Sequence, residues 1–259
     1  EKEILLDWAE EIRKRFNSEF FNSETKVYST GSQTAMSMPY CLGIVEDQFK
    51  EKVLDNLVDF VVSNNKALTA GDVGFHFLVE ALTKGGKSQL IYEMINRDDV
   101  PGYGYQLKKG ATALTESWEA LENVSNNHLM LGHVMEWFYA GLGGIGQSET
   151  SVAYKEIVIK PKIVGDLTFV KTGFNSPYGL IRSEWQRKNE GILLEVEIPN
   201  NTLANVILPT KKMNTVRLNG EKPSKQSLIS TGKENQIVLK LGSGIYKIHS
   251  GLDYQGEKL

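Results

Sequence analysis

The feature that most constrains this chain is a change in the spacing of its apolar residues near Gly146. Up to that point the spacing is helical. From Val152 to Ser250 it is strand-like, in short runs broken by Pro161, Gly173, Pro199, Gly220 and Gly242. A period of about 3.6 residues buries one stripe of a helix and a period of about 2 buries one face of a sheet, so one segment cannot satisfy both. Two architectures in series are therefore expected: residues 1–148 helical and residues 151–259 built from strands, meeting near Gly146-Gln147-Ser148-Glu149-Thr150.

In the second half the runs 156–159, 167–170, 193–198, 205–208 and 237–239 are short and rich in β-branched residues. That pattern predicts an antiparallel β-sandwich. Its strands carry no cluster of acids or histidines with catalytic spacing, so the sandwich is expected to be structural, with Trp185 and Tyr178 as packing residues.

The first half alternates two helix types. Helices near 3–17, 47–63 and 87–96 have one apolar face, as in Phe49, Val53, Leu54, Leu57, Val58 and Val61, and should lie outside. Helices near 31–44, 71–83 and 127–142 carry few charges and are apolar on most sides, which predicts buried inner helices. Such an alternation describes half of a double-layered α/α toroid. An incomplete ring leaves inner-helix surface that needs a cover, either the missing N-terminal half of a longer chain or self-association of this one. The chain starts at Glu1, already inside a helical pattern, and is read as a piece of a longer protein, so its lack of a signal peptide does not bear on the parent.

Composition narrows the partners. With 29 basic and 32 acidic residues and no basic stripe, the footprint of a nucleic-acid binder is missing. No apolar run approaches the length of a membrane span. Cys41 is the single cysteine, which excludes an internal disulfide and a cysteine-based metal cluster but leaves periplasm and cytoplasm equally open. Nothing calls for a cofactor or a metal, and a neutral partner such as a sugar fits best.

Every outer-to-inner connection should open on one rim: Thr30-Gly31-Ser32-Gln33, Thr69-Ala70-Gly71-Asp72 and Ser125-Asn126-Asn127-His128. Free N–H groups of helix N-termini converge there, a suitable place for ligand oxygens. The third connection, 97–126, is far longer than a helix link needs, and such loops are usually functional or disordered. Its content argues for function: Tyr103-Gly104-Tyr105, then Gly110 to Trp118 with Glu116, then Asn127 and His128. Aromatic faces, amides, a carboxylate and an imidazole are what a pyranose site uses.

Each residue also has a plain reading. Glu116 could cap a helix or pair with Lys108 or Lys109, and His128 could be a hydrogen-bonder at a helix start. Tyr103, Tyr105 and Trp118 could be packing residues. Asp72 could be an N-cap or first-turn acid. Glu119, Glu122 and Glu136 are read as solvated or salt-bridged. Gly85-Gly86-Lys87-Ser88 lacks the earlier glycine of a phosphate loop and follows a helix, so it is set aside.

Taken together, Gly71-Asp72-Val73-Gly74-Phe75, Gly102-Tyr103-Gly104-Tyr105, Gly110 through Thr115-Glu116-Ser117-Trp118, and Asn127-His128 through Gly132 to Glu136-Trp137-Phe138-Tyr139 resemble the bacterial α-L-rhamnosidases of glycoside hydrolase family 78. Val170-Lys171-Thr172, Gly179 through Trp185 and Ile198 through Ala204 extend the resemblance into the second half. It implies the second half of an (α/α)6 barrel followed by a C-terminal β-sandwich, in an enzyme that releases terminal α-L-rhamnose with inversion. It also implies that Glu116 is the general base and that His128, in the asparagine–histidine pair, contacts the sugar; Asn127, Tyr103, Trp118 and Asp72 are the further substrate-binding candidates. An inverting hydrolase needs a second carboxyl group roughly 6.5–9.5 Å from the first to leave room for water. The family's general acid lies in an acidic motif upstream of anything in this chain, so the fragment alone is expected to be inactive. The family usually has tryptophan and arginine on either side of the glutamate, where this chain has Thr115 and Ser117. Two rivals stay open: a non-catalytic carbohydrate-binding or scaffold protein of the same fold, and a toroidal hydrolase of another sugar.

Overall fold

A computed structural model describes residues 2–189, 191–224, 228–229 and 236–252. Glu1 and residues 253–259, which the two expected domains include, lie outside the described residues. The chain divides into two units, Glu1–Val134 and Met135–Leu259. No helix among the described residues is long and apolar enough to cross a membrane.

In the first unit, α1 (Lys2–Phe20) leads through a two-stranded ribbon, β1 (Phe21–Asn22) and β2 (Val27–Tyr28), to α2 (Gln33–Cys41). Helices α3 (Lys50–Ser63), α4 (Asp72–Lys84) and α5 (Ser88–Ile95) follow. Helix α4 is the hub, packed against α2, α5 and the turn 129–133. The one-sided pattern read in α3 is realised: Val53, Leu54, Leu57, Val58 and Val61 are buried. Helices α2 and α4 approach so closely that a Cβ on Gly74 would overlap Thr34 Oγ1 and sit 2.8 Å from Thr34 Cβ.

Three expectations need correction here. Helix α1 carries the apolar face expected of an outer helix, yet that face is not packed: none of its residues is buried and Ile4, Leu5, Leu6, Trp8 and Ile12 are exposed. The long connection is not all loop, because Tyr103–Lys108 forms a short helix, α6. The third inner helix is not continuous: Leu129–His133 is a 3-10 turn, Val134–Glu136 one α turn (α7), and Trp137–Leu142 a π turn. Trp137 is fully buried and lies so close over Gly141 that a Cβ there would overlap the indole, and the widened turn accommodates that ring.

Among the described residues, the second unit holds two five-stranded sheets. One contains β3 (Ile145–Gln147), β4 (Glu156–Ile159), β8 (Leu203–Ile207), β10 (Leu228–Ile229) and β11 (Val238–Leu241), in the order β10-β11-β8-β4-β3. The other contains β5 (Phe169–Ser176), β6 (Gly179–Lys188), β7 (Gly191–Ile198), β9 (Arg217–Leu218) and β12 (Gly244–Gly251), in the order β5-β6-β7-β12-β9. Inward residues of both, among them Ile157, Ile159, Val206, Leu239, Trp185, Leu194, Val196 and Ile248, form a single core. One pair corrects the all-antiparallel expectation: β4 and β8 run parallel, Glu156 opposite Leu203 through Ile159 opposite Val206. The turn 137–142 belongs to this unit although its turns are helical. Lys162 donates its N–H to Gly141 O at 2.9 Å and Trp185 Nε1 donates to Leu142 O at 2.9 Å, which ties the turn to the strands. Trp185 is thus a packing residue, whereas Tyr178 is partly exposed, with Lys155 Nζ 5.0 Å from its ring centre.

Candidate active site

Hydrogen bonds link the three connections in series, the first to the second through Gln33. This side chain is fully buried at the start of α2. Its amide donates to Ala67 O at 2.8 Å, while its carbonyl accepts Thr69 N–H and Ala70 N–H at 2.9 Å each. The first connection therefore holds the second. Ser32 completes the start of α2 by accepting Ala35 N–H.

The second connection holds the third. Trp118 donates its indole N–H to Ala70 O at 2.7 Å and is 6% exposed. Its ring lies edge-on to Phe75, with centres 5.0 Å apart, and to Tyr103, at 5.1 Å. Such edge-to-face pairs add to simple burial. The Tyr103 hydroxyl donates to Leu131 O, and burial pushes its pKa up. Tyr103 also lines a cavity of about 330 Å³ with Gln106, Ala111, Thr112, Ala113 and Leu114. Trp118 thus lies in the core with its N–H committed, whereas Tyr103 keeps one side on a cavity.

Between Leu114 and His128 the chain folds back on itself. His128 N–H donates to Leu114 O at 2.9 Å, and Glu116 N–H donates to Ser125 O at 2.8 Å. These two bonds put Glu116 and His128 on opposite arms of one loop. The Glu116 side chain is exposed, and its Oε2 accepts Ser125 N–H at 3.2 Å. No contact to Lys108 or Lys109 is seen; Lys108 pairs with Asp98 at 3.4 Å and Lys109 Nζ lies 5.4 Å from the Tyr105 ring centre. Thr115 and Ser117, on either side of Glu116, are used inside the loop. The buried Thr115 hydroxyl donates to Ser117 O at 2.6 Å, and Gln106 donates to the same carbonyl at 3.0 Å. The Ser117 hydroxyl donates to Glu119 Oε2 at 2.7 Å.

His128 Nε2 lies 3.3 Å from Asp72 Oδ2, joining the loop to the first residue of α4. Asp72 Oδ1 accepts Val73 N–H at 2.8 Å. That bond, and then the His128 contact, hold the Asp72 carboxyl below its ordinary pKa. Asn127 is exposed, its N–H donating to Ser125 Oγ. His128 and Asp72 are therefore in contact, with Asn127 next to His128 in the chain and Glu116 on the facing arm of the same loop.

The family model described as the bacterial α-L-rhamnosidase six-hairpin glycosidase domain matches residues 4–142, and the α-L-rhamnosidase C-terminal domain matches residues 144–222. The chain belongs to the bacterial α-L-rhamnosidase family. It is 29% identical to an α-L-rhamnosidase of Streptomyces avermitilis over 91% of its own length and 23% of the relative's. It is 30% identical to one from Formosa agariphila over 96% of its length and 26% of the relative's. Among solved structures, the S. avermitilis α-L-rhamnosidase in complex with L-rhamnose superposes with a TM-score of 0.87 at 25% identity, covering 96% of this chain and 24% of that one. The Dictyoglomus thermophilum α-L-rhamnosidase gives 0.86 at 28% identity, over 96% and 28% respectively. This α-L-rhamnosidase-family chain therefore spans about a quarter of the relatives it matches, as a helical hairpin domain followed by a β-sheet domain.

In this family member, the sequence-predicted residues His128 and Asp72 meet at the start of α4, and Glu116 lies on the facing arm of the same loop. What sequence reasoning missed is the frame: Gln33, Gln106 and the backbone of Leu114 and Ser125. A buried glutamine at the start of a charge-poor helix is a weak signal, and backbone partners leave none.

Proposed function

We propose that this chain is the C-terminal part of an inverting α-L-rhamnosidase, the second half of an (α/α)6 barrel followed by a β-sandwich, and that its substrate is a glycoside or oligosaccharide ending in rhamnose. Glu116 deprotonates the water that attacks the anomeric carbon, while a carboxylic acid outside this chain protonates the departing oxygen. His128 contacts the sugar together with its neighbour Asn127. Tyr103 and Trp118 act by fixing the loop, through Leu131 O and Ala70 O.

The observation that supports this best is the placing of Glu116 and His128 on facing arms of one loop, by the bonds of Glu116 N–H to Ser125 O and of His128 N–H to Leu114 O, in a chain of this family. An exposed carboxylate whose Oε2 takes a backbone N–H is oriented yet open to water, as a general base must be. The test is Glu116→Gln in the parent protein that contains this chain. Hydrolysis of an aryl α-L-rhamnoside should fall about 10²–10⁴-fold while L-rhamnose binding survives, because the amide keeps shape but cannot take the proton. His128→Ala should weaken binding and rate together. A Glu116→Gln protein that kept more than about a tenth of its activity would exclude Glu116 as the base. A parent that binds L-rhamnose without hydrolysing any glycoside would favour the non-catalytic reading.

A further inference from the structure

The contact between Asp72 and His128 carries a consequence for which nitrogen of the imidazole faces a ligand. Asp72 uses both carboxylate oxygens: Oδ1 accepts Val73 N–H at the start of α4, and Oδ2 lies 3.3 Å from His128 Nε2. An ionised carboxylate is an acceptor only, so the ring nitrogen that faces it must carry the hydrogen. In a neutral imidazole the other nitrogen is then a lone pair. The His128 backbone is fixed independently, by its N–H bond to Leu114 O. Helix and loop thus clamp the residue at two points.

We propose that Asp72 is a positioning residue for His128: it locks the imidazole in the Nε2–H form and so makes Nδ1 an acceptor for a hydroxyl hydrogen of the sugar. The inference rests on the reading of this loop as part of a saccharide site. Asp72 acts through the histidine, with one acceptor position on each of its oxygens already taken. Chemistry predicts an inversion in Asp72→Asn. The asparagine carbonyl can keep Val73 N–H while its NH2 turns toward Nε2. The ring must then accept at Nε2 and carry its hydrogen on Nδ1, so the face offered to the sugar changes from acceptor to donor.

The experiment is long-range proton–nitrogen NMR of the parent protein that contains this chain, labelled with 15N-histidine, near pH 8, where an ordinary imidazole is neutral. The chain has 4 histidines, and His128 is assigned by its loss in His128→Gln. Without sugar, His128 should appear as the Nε2–H form in the wild type and in Asp72→Glu, and as the Nδ1–H form in Asp72→Asn, with unchanged backbone spectra. L-rhamnose should then shift His128 Nδ1 in the wild type and bind about tenfold more weakly to Asp72→Asn, the weight of one hydrogen bond. A wild-type His128 in the Nδ1–H form, or a tautomer indifferent to Asp72→Asn, would overturn the proposal. If the tautomers switch as expected but L-rhamnose leaves Nδ1 untouched, the positioning role stands and the saccharide reading falls.

Discussion

The indole N–H of Trp118 is bonded to the carbonyl of Ala70 at 2.7 Å, across 48 positions of sequence, and both residues are buried. The long loop is held at depth by this bond while Glu116, two positions earlier, stays in water. Trp118→Phe keeps an aromatic ring but leaves a buried carbonyl without its donor. We expect a loss of about 1–3 kcal/mol in urea unfolding. A loss below about 0.5 kcal/mol, within the range of a surface substitution, would mean that the carbonyl finds another donor.

Gln33 has more at stake, since one side chain satisfies three backbone groups of 67–70. Gln33→Leu fills nearly the same volume and satisfies none of them. With two N–H groups and one carbonyl stripped, destabilisation should reach about 3 kcal/mol or more. Amide exchange at Thr69 and Ala70 should rise more than in α3, and equal changes in both places would argue against a local frame.

The crossing of α2 and α4 depends on Gly74. Gly74→Ala puts a methyl group into Thr34 and should cost about 1–3 kcal/mol, the usual penalty of overpacking. Thr34→Ala removes the hydroxyl and methyl that the new group meets. The double variant should recover part of the loss, and a strictly additive result would locate the strain elsewhere.

Alkaline pH should unfold the helical unit early. Burial, with the Glu80 charge second, pushes the Cys41 thiol from 9.0 up to about 12, and burial pushes the Tyr28 hydroxyl from 10.0 to about 12. Both groups hold their protons longer in the folded chain than in the unfolded one. Their contribution is therefore complete below about pH 9 and is lost as pH rises toward 12. Melting temperature should fall across that window, and less steeply in Cys41→Ala. The same thiol should react slowly with iodoacetamide at pH 8 until the chain is denatured.

Much of this fold could be read from residue spacing, and the failures have physical causes. Helices α3 and α4 and strands β4, β7 and β8 show their buried stripe or face directly. Strand β6 hides because one of its inward positions is the buried Ser183, which breaks the apolar alternation around Ile181 and Trp185. The exposure of α1 follows no local rule, since its apolar spacing is as regular as that of a buried helix. At the candidate site, residue types pointed to Glu116, His128 and Asp72, but the bonds that place them are mostly made by backbone. Backbone leaves no trace in composition.

The parallel pairing of β4 with β8 also sets a timetable for folding. Strands β5, β6 and β7 form a meander of sequence neighbours and can pair as soon as they exist. Strand β4 has only the short β3 beside it until residues 203–207 arrive, and β8 in turn waits for 238–241. Contacts that span long stretches of chain form late, because loop closure comes before any reward. On the ribosome, the β5–β6–β7 meander would form first, with one apolar face uncovered, while the opposite sheet waits for β11 at 238–241 and the meander for its own partner β12 at 244–251.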